Sequence, residues 1–265
     1  MDAVESWYDN EYDEWSRLDR HRVEFEITRK YLDTYISGNA LEILDIGGGP
    51  GRYSLYLAGK GHKVTLLDLS QHNIDIAGEK SKELGIPLED RIKGNALDLR
   101  AFPEEKFDVV LLMGPLYHLV RLEDRRKALE EALRLLKKGG VIIASFISNY
   151  APFQEAFIYM NLDGNADEIS RMLHFLENGE NEAGSGFTVA YFTGMEEAQA
   201  LMAEQGVKQL AFAGVENVLG LREREIINLS KEDFDKYIDV GYILSQDRNL
   251  AGISFHYLYV GQKQQ

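Results

Sequence analysis

The sequence predicts an α/β fold, a largely parallel sheet covered on both faces by helices. Three observations carry that prediction. Several short runs are continuously apolar, such as "FDVVLLM" at 107–113 and "VIIASFI" at 141–147, as strands buried on both faces require. The segments between them show apolar residues at helical spacing, with Ala128, Leu129, Ala132, Leu133 and Leu136 on one face of 123–138. Finally, 265 residues with 45% hydrophobic content suffice for one large domain with its own core.

The elements follow in order. Residues 1–36 form a leader with ten acids and five bases that also carries Trp7, Tyr8, Tyr12, Trp15 and Phe25. Disordered segments are poor in such rings, so the leader is expected to fold back as a lid. Val23, Ile27, Tyr31 and Tyr35 recur at helical spacing and predict a helix over 19–38. Strand 41–46 runs through a glycine loop into a helix at 51–59, and strand 63–68 is followed by Ser70 as N-cap of a helix ending near Gly85. A short strand at 91–93, the strand 107–113, the helix 123–138 and a strand after the "KKGG" turn complete a core of 37–148.

Beyond Ser148 the pattern loosens into a second lid segment with a helix near 168–176. A strand at 187–193, a helix at 195–206, a strand-like run over 207–219, a helical 221–245 and a final strand over 252–263 follow. One domain is expected, made of the leader 1–36, the core 37–148, and an insertion with closing strands over 149–265.

Charge and composition exclude several function classes. A net charge of -15 sets the overall field against nucleic acid and anionic lipid, which favours a small-molecule substrate. Cysteine is absent, which removes disulfides, thiolate metal sites and a thiol nucleophile. No apolar run reaches the roughly 18 residues of a membrane span, and the opening residues lack the basic and apolar regions of a signal peptide. A cytoplasmic protein is expected.

The chemistry concentrates in "LEILDIGGGPGRYS", residues 41–54. A glycine loop between a strand and a helix presents backbone N–H groups at the carboxyl edge of the sheet, where open α/β folds bind ligands. A phosphate-cradling loop needs Gly-Lys-Ser/Thr after it, and Arg52-Tyr53-Ser54 stands there instead. The dinucleotide fingerprint wants a third glycine where Arg52 sits. Asp68 closes the second strand, 21 positions after Gly47, where a carboxylate accepts hydrogen bonds from ribose hydroxyls. That acid serves a nicotinamide dinucleotide and S-adenosylmethionine equally, so an NAD(P)-dependent oxidoreductase is the competing reading.

With "LDIGGGPGRYSLYLA", "VTLLDLS", "GNALDL", "FDVVLLMGPLYHL" and "ALRLLKKGGVIIASF" in this order, residues 41–148 resemble the class I S-adenosylmethionine-dependent methyltransferases, and among them the small-molecule branch of type 11. The resemblance implies a Rossmann-like, mostly parallel sheet of seven strands whose last strand is antiparallel, with S-adenosylmethionine as cofactor. It implies that Gly47, Gly48, Gly49 and Gly51 underlie the methionine half, with Asp45 organising the loop. Asp68 takes the ribose, Leu69 lies under the adenine, and Asn95 and Ala96 lie beside it; Asn95 accepts from the adenine amino group through its side-chain oxygen. The Met113 carbonyl accepts from the cofactor's amino group. Transfer to N, O or S of a metabolite is the expected reaction, and a homodimer is compatible with the resemblance. A regulatory protein that binds the cofactor without turnover is the third reading, since a fold alone does not establish catalysis.

Methyl transfer needs position more than covalent help, so few residues need be catalytic. His118, just past the fourth strand, is the candidate base for an attacking O–H or N–H, and Tyr117 the candidate to orient substrate. From the leader, Tyr12 and Arg17 are expected to close on the cofactor, Arg17 pairing with its methionine carboxylate. Arg52 reads as a solvated residue at a helix start. His256 reads as a structural histidine, Tyr150, Phe153, Phe157, Tyr191 and Phe192 as mostly lid core, and no set of His and carboxylates has metal-binding spacing.

Overall fold

The computed structural model describes residues 3–10, 12–159, 166–182, 184 and 187–264. Its strands are β1 (Glu42–Ile46), β2 (Lys63–Asp68), β3 (Asp90–Lys93), β4 (Phe107–Leu112), β5 (Leu136–Ser148), β6 (Glu180–Asn181), β7 (Ala190–Thr193), β8 (Val207–Gly214) and β9 (His256–Lys263). The main sheet runs β3-β2-β1-β4-β5-β9-β8. β1 to β5 pair in parallel, and β9 is antiparallel to both its neighbours. This is the seven-stranded, Rossmann-like arrangement expected. Two short strands add to it: β7 extends the edge of β5 beyond the end of β4, pairing Ile147 with Phe192, and β6 pairs with β7.

Period-2 alternation divides the core into two layers, because successive side chains of a strand point to opposite faces. From β4, Val110 and Leu112 pack with Leu129, Leu133 and Met202 on one face; Val109 and Leu111 pack with Ile27, Phe234 and Ile238 on the other. Both sets are buried, which explains why this strand reads as an unbroken apolar run.

Several elements differ from expectation. The helix expected over 19–38 is two helices, Glu14–Arg20 and Arg22–Tyr35, broken at His21 with φ -111° and ψ 56°. The leader starts with a further helix, Ala3–Asn10. The helix expected to reach Lys138 ends at Leu135, and the "KKGG" residues belong to the start of β5. The strand expected over 187–193 covers only 190–193, and that over 207–219 stops at Gly214, where Asn217–Arg222 turns into a 3-10 helix. The helical reading of 221–245 resolves into Glu223–Ile226 and Lys231–Leu244. In the insertion, Ala151–Tyr159 and Ala166–Asn178 are helical. Residues 160–165 of that insertion, and Glu11 of the leader, lie outside the described residues. Among the described residues no helix is long and apolar enough to cross a membrane.

This topology places the site. β1 and β4 are neighbours whose connections leave in opposite directions, so a crevice opens at their carboxyl ends. The loops that follow them touch: a Cβ on Gly114 would stand 2.7 Å from the Gly47 carbonyl oxygen.

Candidate cofactor and methyl-transfer site

A cavity of about 520 Å³ occupies this crevice. Its floor is the glycine loop. The N–H groups of Gly47 and Gly48 donate to the Leu67 carbonyl at 2.7 and 3.3 Å, and that of Gly49 donates to Asp68 Oδ2 at 2.8 Å. Gly47 has φ +70°, and a Cβ on Gly48 would lie 2.4 Å from Leu66 Cδ1 and 2.5 Å from Asp45 Oδ2. Glycine is therefore required at 48 by packing, and at 47 by backbone conformation. Gly48→Ala is expected to cost about 1–3 kcal/mol by overpacking and to abolish binding at the loop; thermal unfolding with and without S-adenosylhomocysteine would show a lowered midpoint and no ligand-induced rise.

The two acids of the motif have different tasks. Asp45 is 1% exposed and accepts from the Ser54 hydroxyl at 2.7 Å. Burial pushes its carboxyl up to about 7, Ser54 opposes the shift, and Asp68 adds to it. Its Oδ1 has no hydrogen-bond partner. Asp68, 7% exposed, accepts from Gly49 N–H, Ser70 N–H at 2.9 Å and Asn73 Nδ2 at 3.2 Å. Burial raises its carboxyl, and these three donors work against the rise. Asp68 thus ties the glycine loop to the start of helix Gln71–Leu84. Asn73, absent from the sequence reading, lines the cavity with its Oδ1 buried and unpartnered. The local signal was its place three residues after the N-cap Ser70, where it must face the strand ends.

The leader closes the cavity from above. Asp9 accepts from the Ser70 hydroxyl at 2.5 Å and from His72 N–H at 3.2 Å, and Glu5 pairs with Lys93 at 2.7 Å. Arg52 is not solvated: it donates to Asp19 at 2.8 Å and to the Trp15 carbonyl at 3.2 Å, with its side chain 15% exposed. It holds the leader down.

Most expected site residues meet at this cavity. Asp45, Gly47, Gly48, Gly49, Asp68, Leu69, Asn95, Ala96, Met113, Tyr117, His118 and Arg17 line it. Gly51 and Tyr12 do not. Gly51 caps helix Arg52–Gly59 behind the loop, and Tyr12 stacks on Trp7 with ring centres 5.8 Å apart. Three of the expected acceptors and donors already have partners. The Asn95 oxygen accepts from Leu97 N–H at 2.9 Å, and the Met113 carbonyl accepts from the Tyr117 hydroxyl at 3.0 Å. The guanidinium of Arg17 is gripped by Glu24 through two hydrogen bonds, of 2.7 and 3.2 Å, so its charge is already matched before any methionine carboxylate arrives. The helix break at His21 brings these two residues face to face, a proximity that sequence spacing conceals.

Behind Arg17 lies a buried ion cluster. Glu24 contacts His256 at 3.7 Å, His256 Nδ1 meets Glu216 at 2.5 Å, and His256 Nε2 stands 3.4 Å from Arg17 Nη2. Burial alone would push Glu24 up, but Arg17, His256 and His21 override it and hold the carboxyl at about 2. For His256, burial lowers the ring's proton affinity, while Glu24 and Glu216 overcome this and raise it. Glu24, Glu216 and His256 bring three metal-type ligand atoms within 4.8 Å of one another, where Arg17 already supplies positive charge. His256 is thus buried among structural partners.

At the far end, His118 Nδ1 lies 3.0 Å from the Val189 carbonyl and Nε2 lies 3.0 Å from the Tyr8 hydroxyl. A carbonyl can only accept, so in the neutral ring Nδ1 carries the proton and Nε2 offers its lone pair to Tyr8. Burial pushes the Tyr8 hydroxyl well above its usual range, which keeps it a donor. Phe187 stacks on His118 at 5.6 Å. Of the aromatic residues of the insertion, Phe192 packs on Phe175 at 5.0 Å, Tyr191 lies under Arg125 at 3.6 Å, and Phe157 is 67% exposed.

Residues 44–144 match the methyltransferase domain family. Over these residues the chain is similar to S-adenosylmethionine-dependent methyltransferases. The chain is similar in fold to an S-adenosylmethionine-dependent methyltransferase from Methanosarcina mazei, with a TM-score of 0.59, 20% identity, and coverage of 88% of this chain and 97% of that one. In sequence it is 35% identical over 109 residues to a ubiquinone biosynthesis O-methyltransferase from Methylobacterium nodulans, covering 41% of this chain and 42% of that protein. It is 29% identical over 124 residues to the tRNA 5-carboxymethoxyuridine methyltransferase of Escherichia coli K12, covering 46% of each. The chain thus spans less than half the length of these two relatives.

Proposed function

We propose that this chain transfers a methyl group from S-adenosylmethionine to N, O or S of a small molecule held between the strand ends and the leader. One observation carries the reading: the same cavity is lined by Asp68, by a glycine floor that no larger residue could form, and by His118, whose Nε2 meets a leader tyrosine. The orphaned acceptors Asp45 Oδ1 and Asn73 Oδ1 suit a ligand rich in hydroxyl and amino donors, as this nucleoside is.

In this reading Gly47, Gly48 and Gly49 would underlie the cofactor, with Asp68 and Asn73 at its ribose and Leu69, Ala96 and Leu97 at its base. When bound, S-adenosylmethionine supplies an electrophilic methyl group on a sulfonium centre. The protein's own residues position the acceptor and exclude water. Once the attacking group displaces the Tyr8 hydroxyl from His118 Nε2, that nitrogen takes its proton, with the tautomer fixed by Val189. Tyr117, hydrogen-bonded to Met113, walls the site beside it. The division into leader, core and insertion with closing strands belongs to the same proposal, as does a homodimeric assembly.

A relative acts on tRNA, but the net charge of -15 here opposes phosphate approach and favours a small substrate. Isothermal titration with S-adenosylmethionine, S-adenosylhomocysteine and NAD(H) tests the reading. Binding of the first two and not the dinucleotide is expected, followed by methyl incorporation from labelled cofactor across a panel of phenols, amines, thiols and tRNA. Binding of NAD(H) alone would overturn it.

A further inference from the structure

The polar demand of this cavity has one sign. Its two buried, unpartnered polar atoms are both acceptors: Asp45 Oδ1, on a residue 1% exposed, and Asn73 Oδ1, on a residue 2% exposed. Donation of Asn73 Nδ2 to Asp68 fixes the amide orientation and leaves the oxygen as the unused atom. A third acceptor reaches in from the leader. Glu14 lines the cavity directly above the glycine loop, with its Cγ 3.3 Å from the point where a Gly49 Cβ would stand. Its carboxyl makes no hydrogen bond among the described residues. The cation in ion-pair reach among the described residues is Arg17, at 3.9 Å, and that guanidinium is already held by Glu24. A carboxylate enclosed without a donor is costly unless a cation completes it.

The cavity itself orients a ligand. Leu69, Ala96 and Leu97, which follow β2 and β3 in the chain, supply apolar lining, and Asp68 precedes Leu69. The leader adds ionic lining, with Glu14, Arg17 and Glu24, and Tyr117 lies among these groups. An aminoacyl nucleoside laid with its base against the apolar lining brings its amino-acid end among these ionic groups. Since Arg17 is neutralised by Glu24, the unmatched charge there is the negative one on Glu14.

We propose that Glu14 receives the α-ammonium of the bound cofactor, so that the leader supplies part of the methyl-donor site rather than only covering it. This rests on the methyltransferase reading. The groups that face Glu14 are Arg17 and His21 from its own helix and its end, Glu24 from helix Arg22–Tyr35, Asp68 from β2, and Tyr8, Tyr12 and Tyr117. Burial, reinforced by Glu24 and Asp68 and opposed by Arg17, pushes the Glu14 carboxyl up to about 7, so cation binding draws a proton off it near neutrality.

The test uses two probes, S-adenosylhomocysteine and 5′-methylthioadenosine, which share the nucleoside and differ in the amino-acid portion. For Glu14→Gln, titration calorimetry should show affinity for S-adenosylhomocysteine reduced about 10- to 100-fold, the range of a charge-assisted hydrogen bond. Affinity for 5′-methylthioadenosine should be unchanged, and Glu14→Asp should recover part of the loss. Wild type should bind S-adenosylhomocysteine more tightly at pH 7.5 than at pH 6 and release a proton on binding, both effects vanishing in Glu14→Gln. Equal loss for both probes, or no loss for either, overturns the role of Glu14. Failure of the wild type to bind either probe overturns the methyltransferase reading itself.

Discussion

Replacing Arg17 by methionine is expected to lower the unfolding midpoint by about 6–12 °C, as removing one partner of a buried pair costs about 3 kcal/mol or more and a chain of this size loses about 2–4 °C per kcal/mol. The reason is Glu24, 9% exposed, whose carboxylate then keeps only the two histidines, His256 and His21, to oppose its burial among the described residues. The pH dependence identifies the cause. In the wild type Glu24 sits at about 2, below its ordinary 4.5, so its contribution is present above 4.5 and lost as pH falls toward 2. His256 is raised above 6.5, so its contribution is full below 6.5 and lost as pH climbs through the raised value. Without Arg17, burial raises the Glu24 carboxyl, which then takes up a proton as pH is lowered. The deficit of Arg17→Met relative to wild type should therefore shrink between pH 7 and pH 5 in scanning calorimetry. A deficit that is constant over this range would show that Arg17 acts through packing alone.

Asp68→Ala is expected to weaken S-adenosylhomocysteine binding by about 100-fold or more, since charge-assisted hydrogen bonds are worth about 1.5–3 kcal/mol each and more than one is lost. The loss is twofold in origin. The ligand loses its acceptor, and the Gly49 N–H, held at 2.8 Å, no longer fixes the loop. Ser70 N–H and Asn73 Nδ2 lose the same partner, while Asp9 remains on Ser70, so helix Gln71–Leu84 keeps its docking. Titration calorimetry alongside near-ultraviolet circular dichroism separates the two effects. Undiminished affinity in a folded variant would remove Asp68 from the cofactor site.

The parts of this site that were legible in the sequence are those fixed by local geometry. A strand, a glycine loop and a helix specify the floor whatever the rest of the chain does, and Asp68 and His118 follow directly from strand ends. What stayed hidden depends on how the leader lands. A break at His21 converts one expected helix into two and turns Arg17 onto Glu24, seven positions away, instead of toward the cavity alone. Glu14 and Tyr8 looked like members of a charged, ring-rich cover, and only the docking through Asp9 and Glu5 places them over the glycine loop and against His118. Arg52 failed as a solvated residue for the same reason: its partners, Asp19 and Trp15, arrive from that cover.

The cluster behind Arg17 joins residues near opposite ends of the chain, with Glu24 and Arg17 from the opening helices and His256 from the closing strand. It works as a clasp. Trimming the first two dozen residues would unroof the crevice and at the same time take Arg17 and Glu24 from His256, 239 positions beyond Arg17, leaving the ring with Glu216 alone, so damage at one terminus is felt in the strand at the other.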